Sequence, residues 1–406
     1  MRGTCLFGLG LAGVMIIGAG TAGASVESGP LAVASGAHRP VAARADTTAP
    51  VITHGPYLQL PSATSMTVVW HTDRVAVSRV EYGREGRFDQ VAVRSRHGLI
   101  DNDRTSHIVH LTDLEPGTTY HYRVVSKTFL GYERQHIVAW GDSVISEPFT
   151  FTTLDPETDR FSFVVIADLH ERADELAQMI RSAAWRDIDL AVFNGDMIND
   201  FMAPDQVFTG FLDVAVEGFA TAIPFVFARG NHETRGRYAR SVWDYIPLVD
   251  GQAYYSFDHG PVHFIVLDSG EDKVDGHEYY NGLVDFDRYL EEEARWLAAD
   301  LQSPTARKAR FRILISHIPP RGSDAYWARR VREYFEATVL GQGIDLWLSG
   351  HTHRLQRIDP TPGENDYHLL IEPTHAVTRV DVTPDGLRVT VTDTGGTVLE
   401  AFTINR

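Results

Sequence analysis

The sequence predicts two folded domains in one chain, an antiparallel β-sandwich followed by a larger α/β domain. Short β-rich segments separated by turn residues fill residues 51–154, and strongly apolar strands alternate with amphipathic helices across residues 160–406. The chain has 406 residues, with 43% hydrophobic and 22% charged side chains, so it is long enough to bury two cores. Most of the chain is therefore expected to be globular.

The charge and cysteine content exclude several classes of function. The formal net charge is −17, which would repel a phosphate backbone, so general nucleic-acid binding is not expected. The single cysteine, Cys5, cannot form an intramolecular disulfide or a thiolate cluster. Any metal must therefore be held by oxygen and nitrogen ligands, and the chain contains eighteen histidines.

The N-terminus has the pattern of a secretory signal peptide over residues 1–24. Met1-Arg2 is positively charged, the run from Cys5 to Ala19 is apolar, and Ala22-Gly-Ala24 suits cleavage after Ala24. The sequence thus predicts a secreted or periplasmic protein with no membrane span after cleavage. The alternative is an uncleaved N-terminal membrane anchor, but the apolar run is shorter than the about 20 residues that a spanning helix needs. Residues 25–50 contain few large apolar side chains and are predicted to be a disordered linker.

The predicted sandwich is carried by short alternating segments. They are Met66–Trp70, Arg79–Tyr82, Tyr120–Val125 and Phe149–Thr153. Trp70 is expected in the sandwich core rather than on a binding platform, because a lone tryptophan on an alternating strand usually fills the interior. The segment Leu114–Tyr120 resembles a fibronectin type III corner, in which a tyrosine enters a strand after a Pro-Gly turn.

The second domain combines apolar strands with helices that have one apolar face. The predicted strands are 161–166, 189–193, 225–228, 311–315 and 345–348. One helical face is formed by Leu176, Met179, Ile180, Ala183 and Ala184, and another by Phe286, Leu290, Ala294, Leu297 and Leu301. Glu291 and Glu292 are expected to face solvent. Both apolar faces are predicted to be core.

A polar cluster follows each of the five strands. The clusters are Asp168-Leu-His170, Gly195-Asp196, Gly230-Asn-His-Glu233, Ser316-His317 and Gly350-His-Thr-His353. Each short string recurs by chance, whereas all five in this order at strand ends are specific. Because α/β folds place ligands at the carboxyl ends of their strands, the clusters are expected at one edge of the sheets.

These motifs resemble those of the calcineurin-like metallophosphoesterase superfamily, from about Phe161 to Arg406. The preceding sandwich resembles the N-terminal domain of purple acid phosphatases. The resemblance implies a four-layer β-sandwich flanked by helices, with two metal ions, iron, manganese or zinc, at the strand ends. It gives the ligands as Asp168, His170 and His353 for one ion, Asn231, His317 and His351 for the other, and Asp196 as the bridge. Two such ions can activate a bridging hydroxide for attack on a phosphoester.

The resemblance also implies roles for residues beside the ligands. His232 would protonate the leaving oxygen as the general acid, with Glu233 orienting it; the alternative for His232 is an electrostatic contact to phosphate. Arg235, Arg237 and Arg321 follow ligand clusters, where they could grip phosphate or form surface salt bridges. His259, His263 and His375 could border the pocket but have no motif.

Two positions depart from the purple acid phosphatase pattern. Where that family has a tyrosine three residues after the bridging aspartate, this chain has Asn199, and His170 stands where the family has no histidine. One nitrogen ligand thus replaces one phenolate, which predicts a dinuclear site without the purple charge-transfer band.

The function predicted from these features is a secreted enzyme that hydrolyses small phosphate monoesters. The alternative is a phosphodiesterase using the same site, because the Asp-x-His form is similar to that of phosphodiesterases in the superfamily. A non-catalytic binding protein with a degenerate scaffold is a third hypothesis, which the seven filled ligand positions disfavour. The sequence does not predict an oligomeric state.

Overall fold

The computed structural model describes residues 46–405. The predicted signal peptide, 1–24, and the predicted linker up to residue 45 lie outside the described residues. The end of the predicted linker contacts the sandwich: Arg74 Nη1 donates to Asp46 Oδ2 at 2.8 Å, and Thr128 Oγ1 donates to the carbonyl of Thr48 at 2.8 Å.

The described strands are numbered in chain order. They are β1 Ile52–Gln59, β2 Met66–Gly83, β3 Gln90–Ala92, β4 Ser95–Arg96, β5 Leu99–Ile100, β6 Arg104–Leu111, β7 Thr119–Arg134, β8 Ile137–Ile145, β9 Phe149–Thr152, β10 Phe161–Ile166, β11 Leu190–Asn194, β12 Phe225–Ala228, β13 Tyr255–His259, β14 Val262–Val266, β15 Phe311–Ile315, β16 Leu346–Ser349, β17 Gln356–Ile358, β18 His368–Ile371, β19 Ala376–Thr383, β20 Gly386–Asp393 and β21 Val398–Asn405.

Within residues 46–405, the helices all lie in the second domain. The α-helices are Ala173–Ile180, Asp213–Ala215, Phe286–Asp300, Pro304–Lys308, Tyr326–Val331 and Ala337–Val339, with π-helical turns at Phe208–Leu212, Val216–Ala220 and Arg332–Glu336. The 3₁₀ turns are Ala183–Trp185, His232–Thr234, Ala239–Asp244 and Glu278–Tyr280.

The N-terminal domain is a β-sandwich built around one long strand. The first half of β2 pairs with β1 and β6, and its second half pairs with β3 and β7, with a change of register between His71 and Ala76. The segments predicted as two strands thus form one bent strand, because no glycine or proline interrupts the chain before Gly83.

The sandwich core contains the predicted tryptophan. Trp70 is fully buried, and its Nε1 donates to Ser126 Oγ at 2.9 Å. The Tyr120 hydroxyl accepts a hydrogen bond from the backbone N–H of Glu115 at 2.9 Å, which closes the predicted corner. The core prediction for Trp70 is therefore confirmed.

The second domain has four layers, as predicted. One sheet has the order β21-β20-β19-β10-β11-β12 and continues into the sandwich through β1, where Gln59 pairs with Phe225; the other has the order β13-β14-β15-β16-β18-β17. The two sheets enclose one apolar core between them. A second core joins the first sheet to the helices at 173–180 and 208–220, and a third joins the second sheet to the helices at 286–300 and 326–339. Alternating residues of each strand face opposite cores, as in Val164 and Val165 of β10.

The helices depart from the predicted faces in two places. The residues from Leu176 to Ala184, predicted to form one helical face, lie on two separate elements. The α-helix ends at Ile180, and Ser182 is extended before the 3₁₀ turn that begins at Ala183. In the helix Phe286–Asp300, Glu291 and Glu292 are exposed as predicted, but Glu293 is fully buried. Its Oε1 accepts the backbone N–H of Asp268 at 2.7 Å, a partner that helical periodicity does not reveal.

The buried His263 links the second sheet to this helix through two carboxylates. Its Nδ1 lies 2.7 Å from Asp258 Oδ1, and its Nε2 lies 3.0 Å from Asp300 Oδ2. Burial lowers the pKa of His263, but the bonds to Asp258 and Asp300 outweigh it and raise the pKa to about 9. The charged ring therefore stabilises the fold.

This arrangement predicts a pH-dependent stability. Because the folded pKa lies above the unfolded value of about 6.5, the contribution is fully present below pH 6.5 and is lost as the pH rises through about 9. We expect the free energy of unfolding to fall by about 2 kcal/mol across this window. Urea unfolding from pH 6 to pH 10 would measure it, and a His263→Gln variant should show a flatter profile. Equal profiles for the two proteins would contradict the prediction.

Candidate metal centre

The five polar clusters meet at the carboxyl ends of the strands that precede them. Strands β10, β11 and β12 are parallel neighbours in one sheet, and β15 and β16 are parallel neighbours in the other. The loops that follow them are therefore at the same edge of the two stacked sheets.

The structure brings the seven predicted ligands together there. Ligand atoms of Asp168, His170 and His353 lie within 4.8 Å of one another, and so do those of Asp196, His317 and His351. Asn231 Oδ1 lies 3.0 Å from His351 Nδ1. Asp196 also lies within 4.8 Å of His170 and His232, so it adjoins the residues of both predicted sites.

The oxygen and nitrogen atoms of the predicted ligands suit a metal cation. Asp168 Oδ1 and His317 Nε2 are buried, and their near neighbours are atoms of other predicted ligands: His317 Nε2 lies 2.9 Å from Asp196 Oδ2, and Asp168 Oδ1 lies 3.2 Å from His353 Nε2. Buried carboxylate oxygens and imidazole nitrogens that lie this close together need a shared proton or a cation between them. Carboxylate oxygen, amide oxygen and imidazole nitrogen together suit iron, manganese or zinc. The residues therefore fit the implied metal ions.

The two buried aspartates of the site, Asp168 and Asp196, favour positive charge close to them. Burial alone would lower the pKa of His317, but Asp196 and Asp168 raise it to about 10. Burial opposes ionisation of Asp196, yet His317 and the backbone N–H of His232 hold the pKa of Asp196 far below its usual value. Burial lowers the pKa of His351 to about 4, so this ring is neutral at neutral pH. A cation would supply the positive charge that the two buried aspartates require.

The backbone at the ligands is strained. Five of the seven have positive φ: Asp168 at 55°, His170 at 48°, Asp196 at 53°, His351 at 70° and His353 at 61°. For residues other than glycine this costs on the order of 1 kcal/mol each and is concentrated at functional sites. The sequence contains no signal for it.

Glycines let the ligand loops contact each other closely. A Cβ atom on Gly230 would lie 2.2 Å from Asp196 Oδ1, and one on Gly350 would lie 2.6 Å from Asp168 Oδ2. A side chain at either position would displace a ligand carboxylate. The two glycines therefore allow a close approach between the loops themselves.

Asn194, at the end of β11, orients the ring of His317 through a backbone hydrogen bond. It is not among the residues predicted from the sequence. Its carbonyl lies 2.8 Å from His317 Nδ1, so Nδ1 donates, and Nε2 is the ring nitrogen near Asp196 Oδ2, at 2.9 Å. Its side-chain Nδ2 lies 3.4 Å from the Leu348 carbonyl of β16. An apolar strand that ends in asparagine was the only available signal.

The role predicted for Glu233 is wrong. Its carboxylate does not contact the His232 ring; it accepts the backbone N–H groups of Asp196 at 3.0 Å, Met197 at 2.8 Å and Gly230 at 2.9 Å. Ile198 donates to it at 3.3 Å. Glu233 is 1% exposed and faces inward between two loops, whereas His232 faces the site. Glu233 therefore ties the Gly195-Asp196 loop to the loop that carries Asn231.

His232 lies at the edge of the cluster with other neighbours. Its Nε2 is 3.9 Å from Asp196 Oδ2 and 3.4 Å from Arg235 Nη1, and its Nδ1 is 3.8 Å from Asp200 Oδ1. Its side chain is 27% exposed, so a substrate can reach the ring. Asp200, rather than Glu233, is the carboxylate near Nδ1.

The other singled-out residues lie in different surroundings. His259 packs against Phe161, and His375 Nδ1 lies 2.7 Å from Glu175 Oε2. Neither belongs to the ligand groups, and the same holds for His263. Arg237 is exposed, and Arg321 pairs with Glu336, which agrees with a salt bridge at that position. Asn199 is exposed in the loop after Asp196.

Two family models match the chain. Residues 161–355 match the calcineurin-like phosphoesterase model, and residues 54–153 match the model of the purple acid phosphatase N-terminal domain. Together they cover nearly all of the predicted sandwich and the larger part of the predicted second domain, up to residue 355.

Curated relatives are distant but extend over both domains. Purple acid phosphatase 22 of Arabidopsis thaliana is 23% identical over 74% of this chain, and acid phosphatase type 7 of Mus musculus is 26% identical over 76%. The chain spans 66% of the length of the first, just under two thirds, and 70% of the second.

Solved structures show the same fold. A purple acid phosphatase from yellow lupin seeds superposes with a TM-score of 0.66 at 16% identity, covering 88% of this chain and 75% of the lupin chain. The structure of PhoD superposes with a TM-score of 0.56 at 14% identity, covering 88% of this chain and 94% of that chain.

Proposed function

Because the chain carries a calcineurin-like phosphoesterase domain behind a purple acid phosphatase N-terminal domain, we propose that it is a dinuclear-metal enzyme that hydrolyses phosphate monoesters. The main support for the proposal is the position of Asp196. Its carboxylate lies close to His170 of one predicted ligand set and to His317 and His351 of the other. The related acid phosphatases and the fit of the donor atoms support it.

The proposed division of the ligands follows the two groups. Asp168, His170 and His353 would hold one ion, and His317, His351 and Asn231 would hold the other, with Asp196 shared. When bound, the two ions would supply an activated water and neutralise negative charge on the phosphoryl oxygens. Iron, manganese and zinc all suit these ligands.

His232 is the proposed general acid. It lies beside Asp196 without belonging to either set of ligands, and its partly exposed ring is available to a leaving oxygen. A histidine can donate a proton near neutral pH, and the donated proton would leave with the alcohol. Asp200 Oδ1 lies 3.8 Å from Nδ1, beyond hydrogen-bond distance, so its negative charge would favour the protonated ring without fixing its tautomer.

A substrate panel tests this proposal. Protein loaded separately with iron, manganese and zinc would be assayed with nitrophenyl phosphate and bis-nitrophenyl phosphate. We expect the monoester to be hydrolysed with the higher kcat/KM. Activity on the diester alone would favour the phosphodiesterase alternative, and protein that binds metal yet hydrolyses neither ester would favour a binding function.

Export through the N-terminal segment is a further part of the proposal. Residues 1–24 have the signal-peptide pattern, and they lie outside the described residues. Within the described range, none of the helices has the length and apolar content to cross a membrane. Sequencing the N-terminus of the exported protein would test cleavage after Ala24.

A further inference from the structure

Arg235 is anchored beside the candidate metal centre by two acidic residues. Its Nε donates to Glu271 Oε1 at 3.0 Å, and its Nη2 donates to Glu271 Oε2 at 2.8 Å and to Asp272 Oδ1 at 2.8 Å. The Arg235 side chain is only 9% exposed. Arg235 therefore differs from an arginine in a surface salt bridge. Its guanidinium is mostly buried, and several hydrogen bonds define its orientation.

Glu271, the anchor of Arg235, is itself held in place. It is 1% exposed, and its carboxylate also accepts the hydroxyls of Thr234 at 2.6 Å and Tyr280 at 2.8 Å. Arg330 Nη1 lies 3.3 Å from the Glu271 carbonyl. Side chains from two separate segments thus restrain the carboxylate that positions the guanidinium, and Arg330 from a third segment holds the backbone of Glu271.

The remaining guanidinium nitrogen of Arg235, Nη1, faces His232 at the edge of the candidate metal centre. Nη1 lies 3.4 Å from His232 Nε2, which in turn lies 3.9 Å from Asp196 Oδ2. Burial opposes the charge of Arg235, but Glu271 and Asp272 raise its pKa further above its usual value, so the group stays cationic. A fixed cationic N–H donor is therefore adjacent to the proposed general acid.

We propose that Arg235 binds a non-bridging oxygen of the substrate's phosphoryl group through Nη1 and thereby favours monoesters over diesters. The inference rests on the proposed function and adds a substrate-binding residue to it. A monoester at neutral pH has three non-bridging oxygens and carries more negative charge than a diester, which has two and a single charge. Because Glu271 and Asp272 offset the charge of Arg235, the discrimination comes from its directed Nη1–H donor, which can bind the third non-bridging oxygen that only the monoester has.

The test compares Arg235 variants with a matched control in the metal-loaded full chain. Arg235→Met removes the cation, and Arg235→Lys keeps a charge without the planar fork. Arg240→Met is the control, because Arg240 is an exposed arginine five residues along that donates to the Leu283 carbonyl. The readouts are metal content, the affinity for inorganic phosphate by calorimetry, and kcat/KM for nitrophenyl phosphate and bis-nitrophenyl phosphate.

The expected result separates the two esters. Arg235→Met should weaken phosphate binding about 10-fold and lower kcat/KM for the monoester about 100-fold, with less than about 5-fold change for the diester. Arg235→Lys should fall between wild type and Arg235→Met. Metal content should stay at the wild-type value, and Arg240→Met should match wild type throughout.

Two outcomes would overturn the inference. Unchanged phosphate affinity in Arg235→Met would do so, as would an equal loss on both esters. Because that variant leaves Glu271 buried without its cation, an Arg235→Met/Glu271→Gln variant provides a second test if the single variant unfolds. If the wild type hydrolyses neither ester, the proposed function fails, whereas the phosphate titration still tests Arg235 by itself.

Discussion

Replacing Asp196 by asparagine is expected to remove most of the bound metal and to lower kcat/KM for a phosphoester by about 10⁴-fold. Asp196 is 1% exposed, and it is the carboxylate shared by the ligand groups on either side. Asparagine has nearly the same shape but has no negative charge, and its amide group has only one oxygen to offer. The change would therefore remove the negative charge that is proposed to hold two ions together, with little change in packing.

Metal analysis and steady-state kinetics on the same preparation would measure both effects. Glu291→Gln is the control, because Glu291 is an exposed carboxylate on the helix Phe286–Asp300. We expect this control to keep the metal content and kcat/KM of the wild type. An Asp196→Asn protein that retains both ions and full activity would exclude the proposed site.

Replacing Glu233 by glutamine is expected to destabilise the protein by about 3 kcal/mol and to weaken metal binding. The Glu233 carboxylate accepts four backbone N–H groups in a buried location. A glutamine would direct an N–H₂ group at some of these donors and would leave them unpaired. Since these donors belong to residues 196–198 and 230, the loss would loosen the loops that present Asp196 and Asn231.

Chemical unfolding and a metal titration would test this role. The outcome that contradicts it is an unchanged free energy of unfolding with a shifted pH profile of kcat, which is the behaviour expected of a residue that orients His232. Glu292→Gln, at an exposed position, provides the control for loss of a carboxylate.

The meeting of the predicted ligand residues at one edge of the sheets is the feature of the site that the sequence predicted best. Each ligand follows an apolar strand, and parallel strands end at a common edge, so residues as distant as Asp168 and His353 were expected to meet. The structure places their atoms 3.2 Å apart, from Asp168 Oδ1 to His353 Nε2. The pattern was informative because strand periodicity and motif order are local properties of the chain.

The sequence by itself determined the two domains, the four-layer fold and the residues that meet at the strand ends. Tertiary structure decided what surrounds them: that Glu233 bonds to backbone donors rather than to His232, and that Glu271 directs Arg235 toward the site. These interactions join loops 36 residues apart, and their geometry depends on how two sheets stack. Hydrogen-bond direction and burial arise only when the layers pack, so periodicity and spacing along the chain do not contain them.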